Sequence, residues 1–148
     1  ATKYFGTVPS PAGAPDPTLH ALCTGAAAEA AAAYDGLRLN EATAAAWGTV
    51  STCNEQIQAR EPWKMAKDEA LRGELADFLY GLLEALRIVS VLLSPVMPGK
   101  TRACLEALGS GGSLGLPFEE AVAWGGLVGG APLERPEPLF PRLDQLER

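Results

Sequence analysis

The sequence predicts an all-α fold, an antiparallel bundle of about four main helices that ends in an extended return segment. Alanine and leucine account for 25 and 21 of the 148 residues, and both are good helix formers. Apolar residues recur every three or four positions, as they do on the buried face of a helix, and they do not alternate with polar residues over the length of a strand. The short segments between these stretches favour antiparallel neighbours.

The first two helices are delimited by proline, glycine and capping residues. Residues 1–15 are rich in proline and predict an extended lead-in. Asp16 followed by Pro17 predicts the start of a helix over 16–35, with Gly36 as its end. A second helix is predicted over 40–60, capped by Asn40 and ended by Pro62. Its inward positions are Ala42, Ala46, Val50, Cys53 and Ile57.

The third helix, predicted over 70–94, has the broadest apolar face in the chain. This face is formed by Leu71, Leu75, Phe78, Leu79, Leu82, Leu83, Leu86, Val89 and Leu93. We interpret Arg87, beside Glu84, as part of a solvated helix face. Pro95 and Pro98 end this helix and begin a fourth, predicted over 98–108.

The predicted organisation is a lead-in over 1–15, a bundle over 16–109 and a C-terminal region over 110–148. That last region holds a glycine-rich loop, a short helix around 118–124 and a proline-rich tail. Leu139, Phe140 and Leu143 in the tail are large apolar side chains, and burying each one stabilises a fold by roughly 1.5 to 3 kcal/mol. We therefore expect the tail to pack back on the bundle.

Composition excludes several classes of protein. A net charge of −6 and a pI near 4.8 argue against a general nucleic-acid binder, although a local RNA contact remains open. No stretch is long and apolar enough to predict a membrane span. Three widely separated cysteines predict reduced thiols in a cytoplasmic protein rather than a disulfide framework or a zinc site. The first residue is Ala1, and we expect the chain to be a piece of a longer polypeptide.

We expect no catalytic residue, metal site or cofactor in this chain. The sequence has one histidine, His20, no pattern for a nucleophile around it, and none of the common phosphate-binding or zinc-protease motifs. Residues 64–68 superficially resemble the KMSKS loop of class I aminoacyl-tRNA synthetases. That loop accompanies a nucleotide-binding fold with a motif of two histidines. This sequence predicts no such strands and has a single histidine, so we reject the match.

The best candidate for a binding site lies in residues 54–67. Trp63 directly follows the helix-ending Pro62, at an element boundary where its ring can project and stack on a flat ligand. The nearby cations are Arg60, Lys64 and Lys67. This local positive charge suits a small RNA-facing site.

The same segment has a structural interpretation. Trp63 can cap the bundle while the lysines solvate the turn. Asn54 can face a ligand or make a buried bond that holds the Pro62–Trp63 turn, and we favour the buried bond.

Together with Leu86-Arg87 and residues 92–98, the segment from Asn54 to Lys67 resembles the C-terminal anticodon-binding domain of methionyl-tRNA synthetases. Residues 3–9 resemble the segment that follows the first bundle helix in that family, and residues 138–143 resemble its return segment. The resemblance implies a helical bundle that recognises the CAU anticodon of methionine tRNA, with Trp63 stacking on the first anticodon base. Asn54 and Pro62 match positions that shape the site, and the family's other reading residues, an Asn and an Arg, would lie before Ala1.

The resemblance also implies that chemistry occurs elsewhere. It implies a parent ligase that uses ATP and Mg in a separate catalytic domain, which would be this domain's partner, along with the tRNA anticodon loop. Two alternatives remain: an α-helical scaffold or protein-interaction domain, and the anticodon domain of another class I synthetase.

Overall fold

The computed structural model describes residues 1–134 and 138–140 and confirms the all-α class. Two short 3₁₀ segments, Glu69–Leu71 and Gly111–Gly115, join helices, and within the described residues the extended backbone makes one isolated bridge, Thr7 to Pro132. The helices are α1 (Thr2–Phe5), α2 (Pro17–Asp35), α3 (Leu39–Arg60), α4 (Pro62–Met65), α5 (Arg72–Leu93), α6 (Pro98–Ala107) and α7 (Phe118–Ala121).

Three long helices form the centre of the bundle. The short turn between α2 and α3 makes these two helices antiparallel neighbours. α5 runs in the same direction as α2: Leu19 near the start of α2 lies against Gly81, and the Tyr34 hydroxyl at its end donates to the Leu92 carbonyl at 2.7 Å. One end of the bundle therefore brings together the start of α2, the end of α3 and the start of α5.

Alanine makes the contact between α2 and α3. Ala30, Ala42 and Ala46 are fully buried, and they belong to one core cluster with Ile88 and Leu92 of α5. Small side chains at these positions let the helix axes approach closely, which leaves little room for a larger residue.

The structure corrects two predictions on α5. Leu86 was expected in the core but is 41% exposed, because it lies on the edge of the apolar face next to an open groove. Arg87 was expected on a solvated face but is buried together with Glu84. The backbone of residues 121–127 folds over this part of α5 and binds both charged groups.

The structure also corrects two predictions near helix starts. The lead-in contains the short helix α1, so it is not extended throughout. α3 begins one residue before Asn40, with Arg38 in the N-cap position and no side-chain cap. The Arg38 carbonyl accepts from the amides of Glu41 and Ala42, and this places Asn40 inside the first turn.

The other helix boundaries agree with the sequence patterns. Asp16 caps α2 through its side chain, and Gly36 follows its end. Gly109, with φ of 69°, follows α6 in the left-handed conformation that glycine adopts without strain.

The start of the tail contacts the bundle. Leu139 is half-buried and packs against the cluster of Val8, Cys104 and Leu108, whereas Phe140 is 62% exposed. Leu143 lies outside the described residues, so the docking of the whole tail stays a prediction, and Leu139 is the tail side chain that the structure places against this cluster.

All three cysteines are free, with Cys23 and Cys104 buried and Cys53 half-buried. In the part of the chain that the structure describes, no helix meets the length and hydrophobicity needed to cross a membrane, and no cluster of residues suits a metal ion.

Candidate nucleic-acid interface

A sharp turn between α3 and α4 places Trp63 on the surface. Glu61 adopts the left-handed conformation, with φ of 46° and ψ of 61°, and its amide donates to the Ile57 carbonyl at 3.1 Å. Pro62 is buried at the first position of α4, where its fixed φ suits a helix start. Trp63 follows and is 40% exposed, so much of its ring surface is open to a ligand.

The cations predicted around Trp63 have different environments. The Lys64 ammonium pairs with the Glu61 carboxylate at 2.6 Å; the lysine side chain is largely exposed and the glutamate side chain is partly exposed. Lys67 is exposed and makes no ion pair with any residue that the structure describes. Of the three predicted cations, Lys67 is therefore the one whose charge is most available to a phosphate.

The Arg60 side chain is 40% exposed, and its guanidinium nevertheless has two partners on other helices. Its guanidinium pairs with the Asp16 carboxylate at 2.6 Å and lies 4.7 Å from the centre of the Phe78 ring. This arrangement links the end of α3 to the start of α2 and to α5.

The two oxygens of the Asp16 carboxylate have separate partners. One oxygen accepts from the amides of Thr18 and Leu19 at 3.0 and 3.1 Å, and the other binds Arg60. Burial acts to raise the pKa of Asp16, but the Leu19 amide and the Arg60 charge outweigh it and hold the pKa below its usual value. The carboxylate is therefore ionised at neutral pH.

Asn54 does not make the buried bond that we favoured. It is exposed on α3, and its side chain has no hydrogen-bond partner among the described residues. It lies at the edge of an apolar groove between α3 and α5, with a volume of about 330 Å³. The groove is lined by Ala1, Val50, Cys53, Asn54, Ile57, Leu79, Leu82, Leu83, Ala85, Leu86 and Val89.

The structure thus places Pro62, Trp63 and Lys64 on α4, pairs Arg60 with Asp16, and places Asn54 at the groove between α3 and α5. Sequence reasoning missed Asp16 and Phe78 as the partners of Arg60. Asp16 was visible as a helix cap, but nothing local showed that α3 would end beside it.

The chain matches the family described as the anticodon binding domain of methionyl tRNA ligase over residues 9–148. A methionine–tRNA ligase from Streptomyces coelicolor is 37% identical over 97% of this chain, and one from Bacillus subtilis is 34% identical over 98%. This chain covers 28% and 22% of those proteins.

A solved structure shows the same fold. The crystal structure of the apo form of Mycobacterium tuberculosis methionyl-tRNA synthetase superposes with a TM-score of 0.80, at 28% identity over 93% of this chain. The match covers 28% of the crystallised chain. The chain belongs to the family of methionyl-tRNA ligase anticodon-binding domains.

Proposed function

We propose that this chain is the part of a methionine–tRNA ligase that binds the anticodon loop of methionine tRNA, with Trp63 stacking on the first anticodon base. The observation that carries the proposal is the exposed Trp63 on α4, just after the buried Pro62, in a chain of this family. A ring held at a helix start loses little freedom when a base stacks on it, so the stacking contributes to the affinity for the anticodon loop.

The charge distribution predicts that the chain contacts few RNA phosphates. Lys67 and Lys64 lie close to Trp63 in sequence, while the chain as a whole is acidic. One or two phosphate contacts give a plot of log affinity against log salt with a slope of about −1 to −2. We therefore expect the affinity of this domain for RNA to depend only weakly on salt concentration.

Asn54 is a second candidate RNA contact. It is on the last third of α3, six residues before the helix ends, which is about 9 Å along the helix axis. Because its amide is exposed and makes no bond to the turn, the ligand-facing alternative from the sequence is favoured.

We further propose that a separate catalytic domain activates methionine with ATP. The domain would be this chain's partner in a cytoplasmic ligase. We expect the purified chain to form no methionyl-adenylate and to exchange no pyrophosphate with ATP. Exchange activity that copurifies with the chain through successive columns would contradict this assignment.

The experiment that tests RNA recognition compares two hairpins. Fluorescence anisotropy measures the binding of the chain to a labelled RNA hairpin with the anticodon loop of methionine tRNA, and to a matched hairpin that differs only in its CAU triplet. We expect tighter binding to the CAU hairpin. Equal binding to both, or no binding to either, would contradict the proposal and favour a scaffold domain.

A further inference from the structure

We propose that Arg60 is a positioning residue that fixes the end of α3 and so sets the direction in which α4 presents Trp63, and that it does not contact RNA. The proposal rests on the RNA-binding function above, and it changes the role that the sequence pattern gives to Arg60. The two partners that hold Arg60 in place are Asp16 and Phe78. We call these three residues the Asp16–Arg60–Phe78 clamp.

The clamp joins three helices at one end of the bundle. Arg60 is the last residue of α3, Asp16 caps α2, and Phe78 lies in the second turn of α5. The Asp16 side chain is 9% exposed and Phe78 is 1% exposed, whereas the Arg60 side chain is 40% exposed. Arg60 therefore reaches from the surface to two more deeply buried side chains on neighbouring helices.

The Asp16 carboxylate cannot follow Arg60 toward a ligand. The oxygen that does not bind Arg60 accepts two amides of the first turn of α2, and moving the carboxylate would leave both without this partner. Pulling Arg60 toward a phosphate would therefore leave a carboxylate that is nearly buried without its cation.

The backbone path from Arg60 to Trp63 has little freedom. Two residues separate them. Glu61 has a positive φ, which residues other than glycine rarely adopt. The ring of Pro62 fixes its φ. A strained conformation such as that of Glu61 persists when its surroundings hold it on both sides. The clamp holds the side before Glu61, and buried Pro62 holds the side after it.

The test separates positioning from direct contact through three variants. Asp16→Asn keeps a good helix cap but removes the negative charge, Arg60→Lys keeps the positive charge but loses the planar guanidinium, and Arg60→Ala removes both. Arg38→Ala is the matched control, since it removes the exposed pair with Glu41 at the other end of α3. Each full chain is titrated with the CAU hairpin at several salt concentrations.

A second readout does not depend on RNA. The chain is labelled with 5-fluorotryptophan, which gives one fluorine resonance for each of Trp47, Trp63 and Trp124, and Trp63→Phe assigns the resonance of interest. If the clamp orients Trp63, its resonance shifts in all three clamp variants while that of Trp47 stays in place.

Positioning predicts that all three clamp variants weaken hairpin binding by about two- to tenfold, the effect of losing one hydrogen-bonded contact. The salt slope stays unchanged, and Arg38→Ala binds normally. If Arg60→Ala reduces the salt slope by about one while Asp16→Asn binds as well as the parent or better, then Arg60 contacts RNA and the proposal is wrong. Normal binding and an unmoved Trp63 resonance in every clamp variant would also overturn it.

The failure of the inference is distinguishable from the failure of the proposed function. If Trp63→Phe and Trp63→Ala both bind the CAU hairpin normally, the stacking function is wrong, whatever the clamp does. If Trp63→Ala weakens binding but the clamp variants do not, the function stands and the positioning role is wrong.

Discussion

Arg87 and Glu84 form an ion pair inside the bundle, with an N–O distance of 2.9 Å and side chains that are 1% and 0% exposed. The remaining bonds of both groups go to the backbone at the end of α7 and in the segment that follows it. Arg87 donates to the carbonyls of Ala121 and Ala123, and Glu84 accepts from the amides of Gly125 and Leu127. The pair therefore ties the C-terminal loop to α5.

Removing one partner of this pair leaves the other buried without its counter-charge. We expect Arg87→Ala to lower the free energy of unfolding by about 3 to 5 kcal/mol, because Glu84 and two carbonyls lose their partner. Urea denaturation followed by circular dichroism measures the change. Arg102→Ala, which removes an exposed cation on α6, is the control and should change stability by less than about 0.5 kcal/mol. A loss below about 1 kcal/mol for Arg87→Ala would contradict the buried pair.

Ala46 tests the close packing of α2 against α3. We expect Ala46→Leu to destabilise the fold by about 1 to 3 kcal/mol, since this position is fully buried and has no room for a larger side chain. Ala44→Leu, at an exposed position of the same helix, should leave stability within about 0.5 kcal/mol. Equal effects of the two substitutions on thermal unfolding would show that the helices do not pack as closely as described.

Leu139 tests the contact between the tail and the bundle. Leu139→Ala should cost about 1 to 2 kcal/mol of stability, less than a full core position, because the side chain is half-buried. Its neighbour Phe140 is mostly exposed, so Phe140→Ala serves as the control and should cost less than about 0.5 kcal/mol. Chemical denaturation of both variants measures the difference in unfolding free energy. A larger loss of stability for Phe140→Ala than for Leu139→Ala would contradict the packing of Leu139 on the bundle.

The thiol of Cys23 should be inert in the folded chain. Burial, with a smaller effect from Cys53, raises its pKa to about 12. Only about one molecule in ten thousand then carries the reactive thiolate at pH 8. Because a raised pKa favours the protonated thiol, reactivity should increase as pH rises toward 12. Mass spectrometry after iodoacetamide treatment should find Cys23 unmodified in the native chain and modified in urea. Rapid native labelling at pH 8 would contradict the buried thiol.

Features fixed by local chemistry were predictable from the sequence. Asp16 and Pro17 mark the start of α2, Pro62 ends α3, and the apolar spacing places α5 within two residues of its observed start. These signals act over a few residues, through caps, fixed φ angles and helical periodicity.

Features that depend on distant segments were not predictable. Glu84 and Arg87, one helical turn apart, have the pattern of a surface pair, and they are buried because residues 121–127 fold over them. The ion pair between Arg60 and Asp16 was likewise not predictable, because it forms only where α2 begins beside the end of α3. In both cases a charged group bonds to a segment that lies more than 30 residues away in the chain.

The most direct test of the central claim is the affinity of Trp63→Ala for the CAU hairpin, with Trp47→Ala as the matched control. Both tryptophans are exposed to a similar degree, at 40% and 46%, but only Trp63 lies on α4. If Trp63 stacks on an anticodon base, its replacement should weaken binding by about five- to 150-fold, equivalent to roughly 1 to 3 kcal/mol, and Trp47→Ala should bind as the parent does. A folded Trp63→Ala chain that binds the hairpin with unchanged affinity would contradict the account.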